Sequence, residues 1–327
     1  MMKKNLSVPF FDLKSKTNYK FDEGRNCLLS GNDSVEIKNG IPRFVSEVEN
    51  YAEKFGFQWN YWDQLLSDKS NGSNHKKDLL LKRTKFTEFE LEGKTLLECG
   101  CGGGDDTEIL LTLPFKQIYS FDLSNAVDRA KRNLGNRKNL ILFQASILDI
   151  PFEDDTFDFV FCHRVLQHTP NPKESLKKII QKVKPGGILF VHSYHRSKNY
   201  MQEFKYKYRF FFKKLPAKWV LNYVNWFGSF FYFINRLLFR YPITREFARR
   251  YIPFYHYPSY ANFNIKQLIE LSKLVTFDAL TPEYDYPLTY EELKGEVEKS
   301  GFDIVFSNPN PKSSPIYLTA RKKNKDV

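Results

Sequence analysis

The sequence predicts an α/β fold built on a parallel sheet, and three observations predict it. Five short apolar runs alternate with helical patterns between residues 95 and 192, a glycine-rich turn directly follows the first run, and a carboxylate closes the second about 20 residues later. The first run, Thr95–Cys99, carries Glu98 near its carboxyl end and leads through Gly100, Cys101, Gly102, Gly103 and Gly104 into the helical pattern Asp106–Leu113. Glycines there leave room for a sharp turn and for a ligand to approach the backbone closely, and a negative charge beside the turn suits a ligand that carries positive charge.

The remaining elements follow in order. Gln117–Asp122 reads as the second strand, and Asp122 stands where a ribose-binding acid belongs in such a sheet. Asn139–Gln144 is the third strand, Phe157–Cys162 a buried fourth, and Lys184-Pro-Gly-Gly187 turns the chain into a fifth, Ile188–His192. In the tail, Thr289 and Glu292 form a capping-box pattern that opens a helix to Ser300, and Gly301 stops it. Asp303–Phe306 and Ile316–Ala320 read as two final strands.

Other glycine-rich loops do not fit. A dinucleotide fingerprint begun at Gly100 would need its third glycine at Asp105, and a P-loop ending in Gly93-Lys94-Thr95 would need its first at Glu88 and would precede the strand. What fits is acidic-x-Gly-x-Gly-x-Gly, from Glu98 to Gly104, which resembles motif I of class I S-adenosylmethionine-dependent methyltransferases. His163-Arg-Val-Leu-Gln-His168-Thr-Pro resembles the segment after strand four in the small-molecule, type 11-like branch, and Thr276–Pro287 resembles a segment of members associated with bacterial surface glycans. The resemblance covers Thr95–His192 closely and resumes in the tail. It implies a Rossmann-like seven-stranded methyltransferase sheet with helices on both faces, a small N-terminal β module, and a helical insertion after strand five.

The same resemblance assigns a site. S-adenosyl-L-methionine is the implied cofactor: Glu98 faces its methionyl amine, Gly100, Cys101 and Gly102 line the methionyl end, Asp122 with Leu123 holds the ribose, and Ser146 and Ile147 frame the adenine. Ser146 is a departure, because the family often has an acid there. His163 and His168 follow strand four, where the reactive methyl is exposed. Each is a candidate general base for a hydroxyl acceptor, with a packing or cofactor-shell role as the other reading. Tyr284 and Asp285 either reach the acceptor pocket or cap the next helix.

Composition bounds the rest. With 327 residues, 42% hydrophobic and 17% aromatic, the chain can bury one α/β core and still has over a hundred residues for attachments. The expected divisions are an N-terminal β module over 1–50, a helical cap over 51–90, the cofactor-binding core over 91–195, a basic aromatic insertion over 196–265, and the C-terminal part of the sheet over 266–327. Related β modules can be zinc ribbons, but only Cys27 remains here and the cysteines at 27, 99, 101 and 162 have no paired zinc spacing, so no metal is expected. In the cap, Gln58 and Trp59 are candidate lid residues, with an ordinary core role open for Trp59. Ser67–Asp78 reads as a mobile polar loop with His75 solvated. Met1–Lys4 is basic, but Pro9 and Asp12 arrive before an adequate apolar run, which argues against a secretory signal and for the cytoplasm.

The insertion concentrates charge. Arg196–Pro253 holds thirteen basic residues against Glu203 and Glu246, nearly the whole excess of a chain whose net charge is +12. Within it Trp219–Leu238 carries almost no charge, yet Asn222, Asn225, Ser229, Tyr232 and Arg236 recur at helical spacing, so an amphipathic helix is expected in place of a membrane span. It reads either as a lid on the catalytic core or as an element lying on the inner face of the membrane, and the two are compatible. Nucleic acid is disfavoured, since strand four lacks the Asn/Asp-Pro-Pro-aromatic motif and no stacking module is present. The expected acceptor is a hydroxyl or carbon of a small molecule, glycan or lipid-linked intermediate, phosphorylated if Lys213, Lys214 and Lys218 bind it. A catalytically silent cofactor- or partner-binding module and a dehydrogenase are the competing readings.

Overall fold

A computed structural model describes residues 9–45, 51–63, 65–308 and 315–324; the reading of Met1–Lys4 lies outside them. The N-terminal module is a hairpin of β1 (Phe11–Asp12) and β2 (Thr17–Asn18), then an antiparallel sheet of β3 (Lys20–Asp22), β4 (Cys27–Ser30), β5 (Asp33–Lys38) and β6 (Ile41–Pro42). Phe10, Leu28, Val35 and Ile37 pack into one cluster with Phe143 and Phe152 of the main core. Arg43 bridges Gln144 and pairs with Asp128 at 2.6 Å. The module therefore covers what would be an open sheet edge.

A helical cap follows, with α1 (Glu53–Tyr61), α2 (Asp68–Asn71) and α3 (His75–Thr84). The polar run Ser67–Asp78, expected as a loop, is thus mostly helical. Its polar residues are end caps: Asp68 accepts the N–H groups of Lys76 and Lys77 at 3.1 and 2.8 Å, and the Ser67 hydroxyl accepts from Ser70 N–H. Caps of this kind satisfy backbone donors that a helix cannot satisfy itself. His75 is exposed, edge-on to Tyr260.

The main sheet comprises β7 (Thr95–Cys99), β8 (Gln117–Asp122), β9 (Leu140–Gln144), β10 (Phe157–His163), β11 (Val183–Ser193), β12 (Phe302–Ser307) and β13 (Ile316–Lys322), in the order β12-β13-β11-β10-β7-β8-β9. Only β13 runs antiparallel to its neighbours. Side chains alternate between two layers: Leu97, Val160, Cys162, Leu189 and Val191 enter one, and Leu96, Phe159, Phe161, Ile188 and Phe190 the other, around Phe86. The helices α4 (Asp105–Leu110), α5 (Ala126–Leu134), α6 (Pro172–Gln181) and α12 (Tyr290–Lys299) connect the strands, and α12 carries both halves of the expected capping box. Lys184–Gly187, expected as a turn, lies inside β11 as an irregularity: Phe157 pairs with Val183 but Phe159 with Ile188.

Between β11 and α12 lie α7 (Lys198–Met201), α8 (Phe204–Phe212), α9 (Ala217–Leu238), α10 (Pro242–Tyr251) and α11 (Ile265–Leu280). The boundary expected at 265/266 gives α11 to the sheet, whereas its Leu268, Leu274 and Phe277 pack with Val220, Val224 and Tyr232 of α9. Helix α11 is therefore part of the roof. The amphipathic pattern expected for α9 also needs revision. Val220, Leu221, Val224, Gly228 and Tyr232 are buried, so Tyr232 faces the core, while Asn222, Asn225, Ser229 and Arg236 form a flank. Trp219, Trp226, Phe230, Phe233 and Leu237 are exposed on the side opposite the buried one. No helix among the described residues is long and apolar enough to cross a membrane.

Candidate active site

The site begins where β7 ends. Gly100 has φ +81° and a Cβ there would stand 2.2 Å from Val165, so only glycine fits. Gly100 and Cys101 donate their N–H groups to the Phe121 carbonyl at 2.8 and 2.9 Å, which ties the loop to the end of β8. Asp122 completes that junction: it accepts from Gly102 N–H at 2.9 Å and from the Ser124 N–H and hydroxyl at 2.8 and 2.7 Å. Burial nevertheless raises its carboxyl above the usual range. Trp59 of α1 lies across the loop, with Nε1 3.0 Å from where a Cβ on Gly102 would be. Its neighbour Gln58 is buried and donates to Asp278 at 3.2 Å.

Glu98 departs from expectation. It is 1% exposed, accepts from the Thr107 and Ser120 hydroxyls at 2.7 Å each, and does not line the cavity. Burial pushes its carboxyl up to about 7 against those two hydrogen bonds. Both hydroxyls bond Oε2 and brace the loop from behind, while Oε1 is buried with no hydrogen-bond partner among the described residues. Ser146 is also off the cavity wall, its hydroxyl accepting from Leu148 N–H at 3.2 Å. Leu123 and Ile147 do line the wall, as do Phe121 and Ala145, which the sequence did not single out.

One cavity of about 760 Å³ runs from this loop to a chamber under the insertion. A glycine cradle that no Cβ could enter, and an acid at the tip of β8 with residual exposure, fit the methionyl and ribose parts of S-adenosylmethionine. Gly100, Cys101, Gly102, Asp122, Leu123 and Ile147 would hold it.

Two histidines face the cavity in different settings. His163 places Nδ1 2.7 Å from Asp106 at the start of α4, and its Nε2 lies 3.5 Å from Arg83 Nη1. Burial opposes ionisation of Asp106, but Lys76 and His163 hold its carboxyl well below the usual range. An ionised Asp106 makes His163 Nδ1 the donor. Burial lowers His163 to about 4 despite that acid. His168 has Nδ1 3.1 Å from the Tyr284 carbonyl, which can only accept, so Nδ1 carries the proton and Nε2 a free lone pair. The ring packs on Phe55 and Tyr194, and burial lowers it to about 4 as well. Both rings are neutral at physiological pH.

The chamber beyond is rich in tyrosine, including Tyr194 after β11, Tyr200 of α7, and Tyr255, Tyr257 and Tyr260 between α10 and α11. Asp285 reaches it without capping a helix, and pairs with Lys205 at 2.7 Å and Arg209 at 3.0 Å. Tyr284 packs edge-on against Tyr51. Glu203 joins Arg249 at 2.7 Å and the Tyr255 hydroxyl at 2.6 Å. Arg164, at φ +64°, also lines the cavity. Sequence reasoning missed Lys76, Asp106, Arg164 and the tyrosines. The one signal for Asp106 was its position just after the glycine turn.

Residues 97–191 match the profile of the methyltransferase domain family. The chain is 32% identical over 119 residues to a ubiquinone biosynthesis O-methyltransferase of Coxiella burnetii, a match covering 35% of this chain and 50% of that one. It is 30% identical over 125 residues to a demethylmenaquinone methyltransferase of Staphylococcus aureus, covering 37% and 51%. The match thus spans about half the length of these curated relatives. A longer match, 33% identical over 184 residues, is to the uncharacterised protein MJ0638 of Methanocaldococcus jannaschii, covering 56% of this chain and 72% of that protein.

Proposed function

From the premise that this chain belongs to the family of the Methanocaldococcus jannaschii protein and carries a class I S-adenosylmethionine-dependent methyltransferase domain, we propose that it transfers a methyl group to a hydroxyl or carbon of a small-molecule, glycan or lipid-linked acceptor. The observation that carries this reading is the continuity of the cavity, which joins the glycine loop to a tyrosine-lined chamber large enough for a second ligand. S-adenosylmethionine, when bound, supplies a methyl group made electrophilic by the sulfonium. The protein's part is alignment and exclusion of water.

His168 is the proposed base for a hydroxyl acceptor. Its Nδ1–H is committed to the Tyr284 carbonyl, which leaves Nε2 to take the acceptor's proton. His163, whose Nε2 faces Arg83, is proposed to shape the floor beside it. Tyrosine faces suit the flat side of a ring, and the relatives named for ubiquinone and demethylmenaquinone support a ring-bearing acceptor with a tail. Phosphate recognition through Lys213, Lys214 and Lys218 has less support: Lys213 pairs with Glu283 at 2.8 Å, and none of the three lines the cavity.

Calorimetry with S-adenosylmethionine and S-adenosylhomocysteine, followed by transfer of labelled methyl to quinol precursors, sugars and lipid extracts, tests the proposal. Binding together with label in one acceptor class supports it. Binding with no transfer to any class leaves the silent module, and uptake of NADH in place of the sulfonium favours a dehydrogenase.

A further inference from the structure

The outer face of the insertion carries apolar side chains that nothing in the fold covers. Thirteen of the eighteen exposed large hydrophobic residues among those described fall between Met201 and Tyr251. On α9, Trp219, Trp226, Phe230, Phe233 and Leu237 follow spacings of seven, four, three and four, which stacks them in one stripe. Trp226 is 76% exposed, and Ile243 on α10 is 86% exposed. The stripe lies opposite Val220, Val224 and Gly228, which pack toward the roof's own core, so α9 is apolar on two sides for two reasons.

Charge surrounds this face with one sign. Lys207, Lys214, Lys218, Arg236, Arg240 and Arg245 are exposed and form no ion pair with any described acid. The region's own acids are already engaged: Glu203 is buried against Arg249, and Glu246 pairs with Arg249 and Arg250. A second copy of the chain would set these cations against one another. An anionic bilayer neutralises them and gives indole and phenyl rings the interfacial depth they favour.

We infer that the exposed α9 stripe, with Ile243 and Phe247 of α10, lies in the interface of an anionic membrane while the surrounding lysines and arginines contact its headgroups. The inference goes beyond the proposed reaction and does not need it.

Sedimentation with vesicles tests it, using pure phosphatidylcholine against vesicles in which about a third of the lipid is phosphatidylglycerol. The full chain is expected to pellet with the anionic vesicles and to show blue-shifted tryptophan emission there, and a Trp219→Phe, Trp226→Phe variant to lose that shift. Lys214→Gln, Lys218→Gln, Arg240→Gln is expected to weaken binding on the order of 100-fold, and Trp226→Ser, Phe230→Ser to weaken it comparably. All these side chains point outward, so circular dichroism and S-adenosylmethionine uptake should not change. An Asp122→Ala chain that has lost the cofactor should still bind vesicles. Equal binding to both vesicle types, no binding to either, or a stable dimer in solution that hides Trp226 from quenchers would overturn the inference.

Discussion

The floor of the cavity and its roof fix their charges over different distances along the chain. On the floor, Asp122 is held by Gly102 and Ser124, and Glu98 by Thr107 and Ser120, all within 22 residues of the acid they hold. On the roof, Lys205 meets Asp285 across 80 positions and Arg249 meets Glu203 across 46. Geometry at the glycine loop is thus written into one short stretch of chain, with His163 and Asp106 paired across 57 positions beside it, while roof geometry exists only once distant segments have met. A change on the floor should alter ligand uptake and leave the fold standing. A change on the roof should unsettle packing first.

The strongest way to break this comparison is Asp285→Ala. It leaves Lys205 and Arg209 buried without their acid, and should cost about 3–5 kcal/mol in denaturant unfolding. If stability held and only cofactor affinity fell, the roof would be no different from the floor. Next, His168→Gln should lower transfer to a hydroxyl acceptor by about 10²-fold with S-adenosylmethionine affinity unchanged, as single-turnover rates and calorimetry would reveal.

Acid sharpens the contrast further. His163 and His168 are lowered to about 4 and His192 lies well below its ordinary value, all chiefly by burial, so the unfolded chain binds more protons below pH 6.5 and stability falls as pH drops toward 4. Glu98, raised to about 7, acts in the opposite sense: its stabilising contribution is full below about 4.5 and is lost as pH rises through 7. His256 is lowered to about 4 by burial as well, and four histidines against one glutamate leave a net loss of about 3 kcal/mol between pH 6.5 and 5.5, measurable by chemical denaturation at each pH. The mildest expected effect is that of Asp122→Asn, whose one amide oxygen can keep the Ser124 contacts while its NH2 cannot accept from Gly102 N–H, and which weakens acceptance of ribose hydroxyls. About a tenfold loss in S-adenosylmethionine affinity should follow, with a nearly unchanged melting temperature.

The same contrast explains what could be read from the residues alone. Glu98 to Gly104, Asp122 and the alternating strands are local patterns, and strand order follows once the unit is identified. Even there, the sequence placed Glu98 but not its partners: Thr107 and Ser120 both bond Oε2, because spacing gives an acid's position and not the direction of its carboxyl group. Ser67–Asp78 looked like a loop because capping residues and loop residues have the same composition. On the roof, helical spacing identified α9 but not which of its apolar sides faces inward, since that depends on α11 arriving forty residues later. Lys205, Asp285 and the tyrosines carry no motif at all.

The position of β13 has a consequence for biosynthesis. It lies between β11 and β12, yet Ser193 ends β11 and Ile316 opens β13, and the whole roof is translated in the interval. At about 5–20 residues per second, the nascent chain presents the unpaired edge Ile188–Ser193 for roughly 6 to 25 s. Substitutions that weaken β13 should therefore surface as insoluble protein and chaperone dependence in the cell long before any defect is visible in molecules that have already folded.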